Sequence, residues 1–392
     1  MHTPSMKKLI LLLFLPFLCC KSPEGKNVQT SADLKEKLSQ EIDSLLSSKI
    51  KPDGPGAAIL VAYDGEELVA KGFGQRSIED KAPITPATNM RMASVSKQFT
   101  ALCILRLADQ QLLSLDDQVT KYWPHPVFAG ITIEHLLNHT SGIADYESVF
   151  MEEWDHSKIV ENKDVLTWLN TNPAPVFPPG SSWEYSNTAY LVLALLVEKV
   201  SGMPFATFAR EQVFKPAAMG RSTFYNLADP VEIDQRAFCY EKDSTGTWAR
   251  RDGFFMNGVV GDGALYTSVH DYFNYDNALR SKAILSAEMH SKIFAPSSMA
   301  IPRDNGFYSF VSDFSFWEKE DVYYGMGWFL SGDVAFHSGS WNGTRTFVFR
   351  ELERPLTIAV FLNSDAADLR ADLFDETLQL VHQYLQHTEP AK

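Results

Sequence analysis

Strand-length apolar runs stand near the two ends of this chain, and none is obvious in between. Ala57 to Tyr63 and Glu67 to Phe73 flank Asp64-Gly65, a pair that tolerates the positive φ of a tight hairpin turn. Near the other end, Val334 to His337, Thr344 to Arg350 and Leu356 to Leu362 read as three more strands, with a turn around Glu353-Arg354-Pro355. Strands so placed satisfy their edges by joining one antiparallel five-stranded sheet built from both ends, with helices on its faces. Two helices are expected to flank it: one from Ser31 carrying Leu34, Leu38, Ile42, Leu45 and Leu46 and ending before Pro52, and a closing one carrying Leu373, Phe374, Leu378, Val381 and Leu385. The centre, Met92 to Leu279, reads as helices and long loops, so the class is α/β (α+β).

With 392 residues, 45% of them hydrophobic, the chain can bury a large core, and its net charge of -14 argues against a nucleic-acid partner. Lys7 and Lys8 precede the apolar run Leu9 to Leu18, which is too short to span a bilayer and has a signal-peptide layout. Residues 1–20 are therefore expected to be an export signal and 21–30 a polar linker. Phe17-Leu18-Cys19-Cys20 resembles a bacterial lipoprotein cleavage box, with Cys20 better placed for a lipid, but Leu three residues before it is missing and an ordinary cleaved signal stays open. A single domain is expected over 31–390, with a sheet sub-domain of 31–91 and 280–390 and a helical sub-domain of 92–279. Cys103 and Cys239, the cysteines left after cleavage, show no metal-ligand spacing and no disulfide framework. His135 and His139 lie four apart beside Glu134, but no third ligand accompanies them, so no metal site is expected.

The chemistry concentrates at Ser94-Val95-Ser96-Lys97, which precedes the apolar run Phe99 to Leu107. A hydroxyl and an amine three residues apart at a helix start share a face. The hydroxyl becomes a nucleophile if partial burial lowers the lysine's pKa enough for it to take the proton. Two other Ser-x-x-Lys copies are poor sites: Ser5 to Lys8 falls in the export segment, and Ser48 to Lys51 closes a surface helix. A loop holding Pro173, Pro175, Pro178 and Pro179 delivers Tyr185-Ser186-Asn187 to a helix over Ala189 to Val200, which Ser201-Gly202 closes. His337-Ser338-Gly339 completes a set of three short elements at element boundaries, where side chains can converge on one cleft. No Gly-x-Ser-x-Gly elbow exists, which counts against an α/β-hydrolase. Trp183, Phe254, Phe255, Trp328 and Trp341 fit either cleft walls or packing.

On these residues the chain resembles the serine β-lactamase and penicillin-binding protein superfamily, nearest its class C β-lactamase, D,D-peptidase and esterase branch. Leu136-Leu137-Asn138-His139-Thr140-Ser141-Gly142, Pro179-Gly180, Gly263-Ala264-Leu265-Tyr266-Thr267-Ser268 and Tyr324-Gly325-Met326-Gly327-Trp328 are similar to the branch's other blocks. The resemblance implies a β-lactamase/transpeptidase-like fold and an exported bacterial serine hydrolase, periplasmic or lipid-anchored, that needs no cofactor. Its partner would be a small-molecule or peptide acyl donor, an amide or an ester. Ser94 is then the acylated nucleophile, Lys97 its proton acceptor or relay, and Tyr185 a second acid/base that serves as phenolate only if cations such as Lys97 stabilise it. Asn187 would orient the substrate carbonyl and Lys97, and His337, Ser338 and Gly339 would line the cleft, Gly339 letting the acyl chain lie close to backbone. The backbone N–H groups of Ser94 and Ser340 map onto the family's oxyanion hole. His337 departs from the lysine usual in β-lactamases, and a mostly neutral histidine shifts the expectation toward a peptidase, D-amino-acid amidase or esterase with weak β-lactamase activity. The alternative is a catalytically silent cell-envelope binding protein on the same scaffold.

Overall fold

Thr30 opens the first helix, its hydroxyl accepting from the Asp33 N–H at 3.2 Å while the Asp33 carboxylate takes the Thr30 N–H at 2.9 Å. The structure, a computed structural model, describes residues 30–171 and 175–388. The export signal, Cys19 and Cys20, the linker up to its last residue and Pro173 lie outside the described residues. Helix α1 (Ser31–Lys49) buries Leu38, Ile42, Leu45 and Leu46, as its periodicity requires. Each such side chain removed from water is worth about 2 kcal/mol.

Strands β1 (Ala57–Tyr63) and β2 (Glu66–Phe73) form the hairpin. Its turn residues Asp64 and Gly65 both have positive φ, 49° and 77°, the geometry that matches strand twist. From the far end come β3 (Tyr323–Tyr324), β4 (Phe329–Ser331), β5 (Val334–Trp341), β6 (Thr344–Glu351) and β7 (Leu356–Leu362). All pair antiparallel in the order β3-β4-β5-β6-β7-β1-β2, with Ala57 opposite Leu362 where the two ends of the chain meet. The five expected strands are present, and β3 and β4 extend the edge to make seven. Two- and three-residue strands around Gly325 and Gly327 are too short to show an alternation. The same reason hid the short strands of the centre, where Met90–Arg91, Leu265–Thr267 and Thr223–Phe224 pair, and Tyr240–Lys242 pairs with Trp248–Arg250.

The period-2 alternation of β6 explains how the layers join. Phe347 and Phe349 turn to one face and pack on Phe374 of the closing helix (Ala367–Thr388), with ring centroids 4.7 and 5.3 Å apart. Thr344, Thr346 and Arg350 turn to the other face. Arg350 pairs there with buried Asp276 of the helix Val269–Arg280, and the threonines reach the Ser94 turn. Behind that turn runs α2 (Lys97–Asp109), with Phe99, Leu102, Cys103, Ile104, Leu105 and Leu107 all buried; a helix apolar on every side belongs at the centre of a core.

Candidate active site

Ala93 holds φ at 46°, a conformation that costs a non-glycine residue about 1 kcal/mol and turns the chain sharply into the 3₁₀ turn Ala93–Ser96. Neighbouring elements over-determine this bend. The Met92 N–H donates to the Leu265 carbonyl at 2.8 Å, and the Leu265 N–H donates to Ser96 Oγ at 3.1 Å. From β6, the Thr344 and Thr346 hydroxyls donate to the Arg91 and Met92 carbonyls at 3.0 and 2.9 Å. Gly339 lies against the same backbone, where an added Cβ would sit 2.2 Å from Thr346 Oγ1 and 2.3 Å from the Met92 carbonyl. The missing side chain therefore makes room for the Ser94 turn rather than for an acyl chain. Gly327, at φ 82°, does the same for the start of α2, since a Cβ there would lie 2.6 Å from the Gln98 Cα.

Lys97 is buried, with Nζ 3.2 Å from Ser94 Oγ, 2.7 Å from Asn187 Oδ1 and 2.7 Å from the Asp262 carbonyl. Burial lowers its pKa to about 8, against the pull of the Asp262, Glu147 and Asp145 carboxylates. The amine is therefore poised to exchange a proton near neutral pH. Nζ also lies 4.8 Å from the centre of the Tyr185 ring. Among the described residues the buried Tyr185 hydroxyl makes no hydrogen bond of ordinary geometry, with the Ser94 hydroxyl as its neighbour. Burial pushes its pKa well above the usual phenol value, and the neighbouring Ser94 hydroxyl works the other way. Burial dominates, and the resting side chain is a phenol rather than the phenolate considered from sequence.

Tyr185 and Asn187 are aimed by the start of the helix Asn187–Ser201, where Ser186 Oγ accepts from the Ala189 N–H at 3.2 Å, and which Gly202 ends at φ 69°. His139, itself at φ 62°, packs its ring on Tyr185 with centroids 4.4 Å apart, and its Nδ1 accepts from the Ser186 N–H at 3.1 Å. His135 accepts from the Thr132 N–H at 3.2 Å and caps a short helix, so each member of the spaced histidine pair has a structural task.

His337 is 1% exposed and is not among the cleft-lining residues. Its Nδ1 lies 2.7 Å from the Ser338 carbonyl, which can only accept, so Nδ1 carries the hydrogen and Nε2 accepts from the Tyr324 hydroxyl at 2.9 Å. Burial, reinforced by the Lys97 charge, lowers its pKa to about 3, so the ring is neutral and fully engaged. It cannot give a substrate the charge that a lysine would. Along β5, His337 and Gly339 share the face that meets the Ser94 turn, whereas Ser338 and Ser340 line the cleft. From His337 onward β5 pairs only with β6, which leaves this half of the strand as an open edge.

The cleft has a volume of about 320 Å³ and is bordered by Ser94, Tyr185, Asn187, Ser338 and Ser340, with Phe307, Phe310, Phe329 and Trp341 as aromatic walls. Of the aromatics singled out in the sequence, Trp341 lines it, while Trp183 and Trp328 are buried in the core. Sequence reasoning missed a carboxylate group beside Lys97. Asp262 Oδ2 accepts from the Tyr146 hydroxyl at 2.8 Å, and Glu147 is pushed up to about 8 by burial and then by Asp145 and Asp262. Asp145 accepts from the Glu147 N–H at 3.0 Å, capping the helix Tyr146–Glu153, and its other oxygen takes the N–H groups of Asn187 and Thr188. An aspartate before Tyr146-Glu147 is a legible cap signal, but its reach to a second helix start is not. Each lost cap costs about 1 kcal/mol. Asp145→Ala should therefore lower the unfolding free energy by about 2 kcal/mol, to be read by urea denaturation, and an unchanged midpoint would deny the shared cap.

The chain matches the sequence profile of the Beta-lactamase family over residues 42–381. It is 33% identical over 322 residues to Penicillin-binding protein 4* of Bacillus subtilis (strain 168), an alignment covering 78% of this chain and 68% of that protein. It is 26% identical to Protein flp of Staphylococcus aureus, covering 83% of this chain and 63% of that one, so the chain spans about two thirds of the length of these relatives. Among solved structures, the octameric penicillin-binding protein homologue from Pyrococcus abyssi superposes with a TM-score of 0.71 at 27% identity, over 88% of this chain and 77% of that chain. D-amino acid amidase from Ochrobactrum anthropi SV3 shares the fold, with a TM-score of 0.69 at 21% identity over 90% of this chain and 98% of that chain.

Proposed function

Because the chain belongs to the beta-lactamase family and is a serine hydrolase of that kind, we propose that it forms an acyl-enzyme at Ser94 on an amide or ester. The observation that carries this reading is the 3.2 Å approach of Lys97 Nζ to Ser94 Oγ at the cleft. In its neutral form Lys97 takes the Ser94 proton as Oγ attacks the substrate carbonyl. The Ser94 and Ser340 N–H groups, assigned by likeness to the family, hold the developing oxyanion. The Tyr185 phenol then gives its proton to the departing amine or alkoxide and regains one from Lys97, so the serine proton ends on the leaving group. Water repeats the sequence in reverse and frees the acid. Asn187, already bonded to Lys97, holds the amine in register. Export is part of this proposal and rests on Lys7-Lys8 and the Leu9 to Leu18 run.

The neutral, engaged His337 favours acyl donors that do not depend on a cation at that position. A panel of a short 4-nitrophenyl ester, a D-amino-acid amide, a D-Ala-D-Ala peptide and nitrocefin tests this. The ester should turn over measurably and nitrocefin only weakly. Nitrocefin as much the best substrate would overturn the reading of His337, and no turnover of any member would favour the silent binding protein. The rate should also rise with pH. Lys97 must be neutral to act, so kcat/KM is expected to climb through about pH 8 and level off above it. Glu147, itself raised to about 8, ionises over the same range and then helps hold the proton on Lys97, so Glu147→Gln should move this limb to lower pH. A limb that stays put or moves up would detach it from Lys97.

A further inference from the structure

Arg91 stands three residues before Ser94, is 5% exposed and lines the cleft. It has no hydrogen bond or ion pair from its guanidinium among the described residues, and Nε is a buried donor without a partner. Of the other deeply buried arginines, Arg350 pairs with Asp276, and Arg370, whose Nε likewise has no partner among the described residues, lies over the rings of Phe310 and Phe314 at 5.2 and 5.7 Å; neither lines the cleft, as Arg91 does. Cys239 and Tyr266 feel the charge of Arg91, and neither supplies an anion. Burial pushes the Cys239 thiol up to about 12 and lifts the Tyr266 phenol above its usual value. Asp252 is already shared by Arg236 and Arg250 at 2.8 and 3.3 Å, and of the carboxyl groups that line the cleft with Arg91, Asp262 accepts from Tyr146 and Glu147 is raised to about 8, and neither is paired with Arg91 among the described residues. A buried charge without a counter-charge is costly, and folded proteins seldom keep one without a use.

The remaining cations of the site are committed. The three contacts of Lys97 go to Ser94, Asn187 and Asp262, and His337 is neutral. We propose that Arg91 is the anion-binding group of this cleft and receives a carboxylate of the substrate, offering the forked pair of N–H donors that matches a carboxylate's two oxygens. The subsite deepens the hydrolase reading and rests on it for the identity of the ligand as substrate. The acyl donors it selects are monoanionic and carry their charge away from the scissile bond. The cleft would then grip a carboxylate from beneath the nucleophile turn instead of from β5.

The aromatic walls make benzoate and benzamide a suitable probe pair, since the two differ in charge and hardly in shape. Both are titrated calorimetrically into the Ser94→Ala protein, with Arg91 intact and replaced. With Arg91 present, benzoate should bind at least tenfold more tightly than benzamide. Arg91→Met should bring the ratio to near one, and Arg91→Lys, which keeps the charge and loses the fork, should leave it intermediate. Equal binding of the two ligands to the Arg91-containing protein overturns the proposal whether or not the Met variant folds, as does a preference that survives Arg91→Met. Failure of the hydrolase reading shows separately, as absence of neutral-ester turnover in the unaltered protein, because the titration requires no chemistry.

Discussion

Ser94→Ala is expected to abolish ester turnover, by a factor on the order of 10⁴ or more, while the protein keeps its fold. The size of the effect follows from covalent catalysis: without Oγ there is no acyl-enzyme, and the oxyanion donors and the cleft retain only the modest acceleration that binding supplies. Lys97→Met should lose nearly as much, because Ser94 Oγ at 3.2 Å from Nζ would have no base to take its proton. The two residues act as one unit, so the double variant should be scarcely slower than either single one. A fluorescent phosphonate reads the same event directly. Labelling should be absent in Ser94→Ala, and equal labelling of that variant would reject Ser94 as the nucleophile.

Gly339→Val should damage stability and catalysis together. The new Cβ alone would fall 2.2 Å from Thr346 Oγ1 and 2.3 Å from the Met92 carbonyl, and neither neighbour is the free end of a flexible chain. Thr346 Oγ1 is itself fixed by its bond to that carbonyl at 2.9 Å. Strand β5 must therefore move away from the Ser94 turn. The cost is expected to be roughly 3 kcal/mol, typical of forced overpacking with loss of a buried hydrogen bond. Because Ser94 and Ser340 sit on the two surfaces pushed apart, the rate should also fall by about 10². Urea denaturation and ester kinetics on the same preparation check both effects, and a variant with wild-type stability and rate would show that Gly339 is not a spacer.

The features legible in the sequence are those that local physics decides. The Leu and Ile spacing of α1, the Asp64-Gly65 turn and the apolar face of the closing helix each carry a period or a φ preference within a short window. The five long strands were legible for the same reason, and so was the sheet that joins the two ends. Ser94, Lys97, Tyr185 and Asn187 were singled out because hydroxyl, amine, phenol and amide stand at element starts, and the structure brings them together around Lys97. What escaped depends on neighbours distant in sequence. No spacing announces that Asp145 caps two helices, that Asp262 offers Lys97 a carbonyl, or that His337 is held from both sides by Tyr324 and Ser338. Gly339 was singled out for an acyl chain above the strand, whereas the crowding that excludes a side chain there comes from what packs beneath it.

The pairing of Ala57 with Leu362 has a consequence for biosynthesis. On a ribosome the hairpin emerges early, and one flank of β1 must wait, unpaired, until β7 has been made. The threonines that clamp the Ser94 bend belong to β6 and arrive almost as late. A nascent or truncated chain can therefore carry Ser94, Lys97 and Tyr185 and still lack the bend that brings them together. The bend that presents the Ser94 hydroxyl should therefore form only after β6 and β7 have been made and have joined β1.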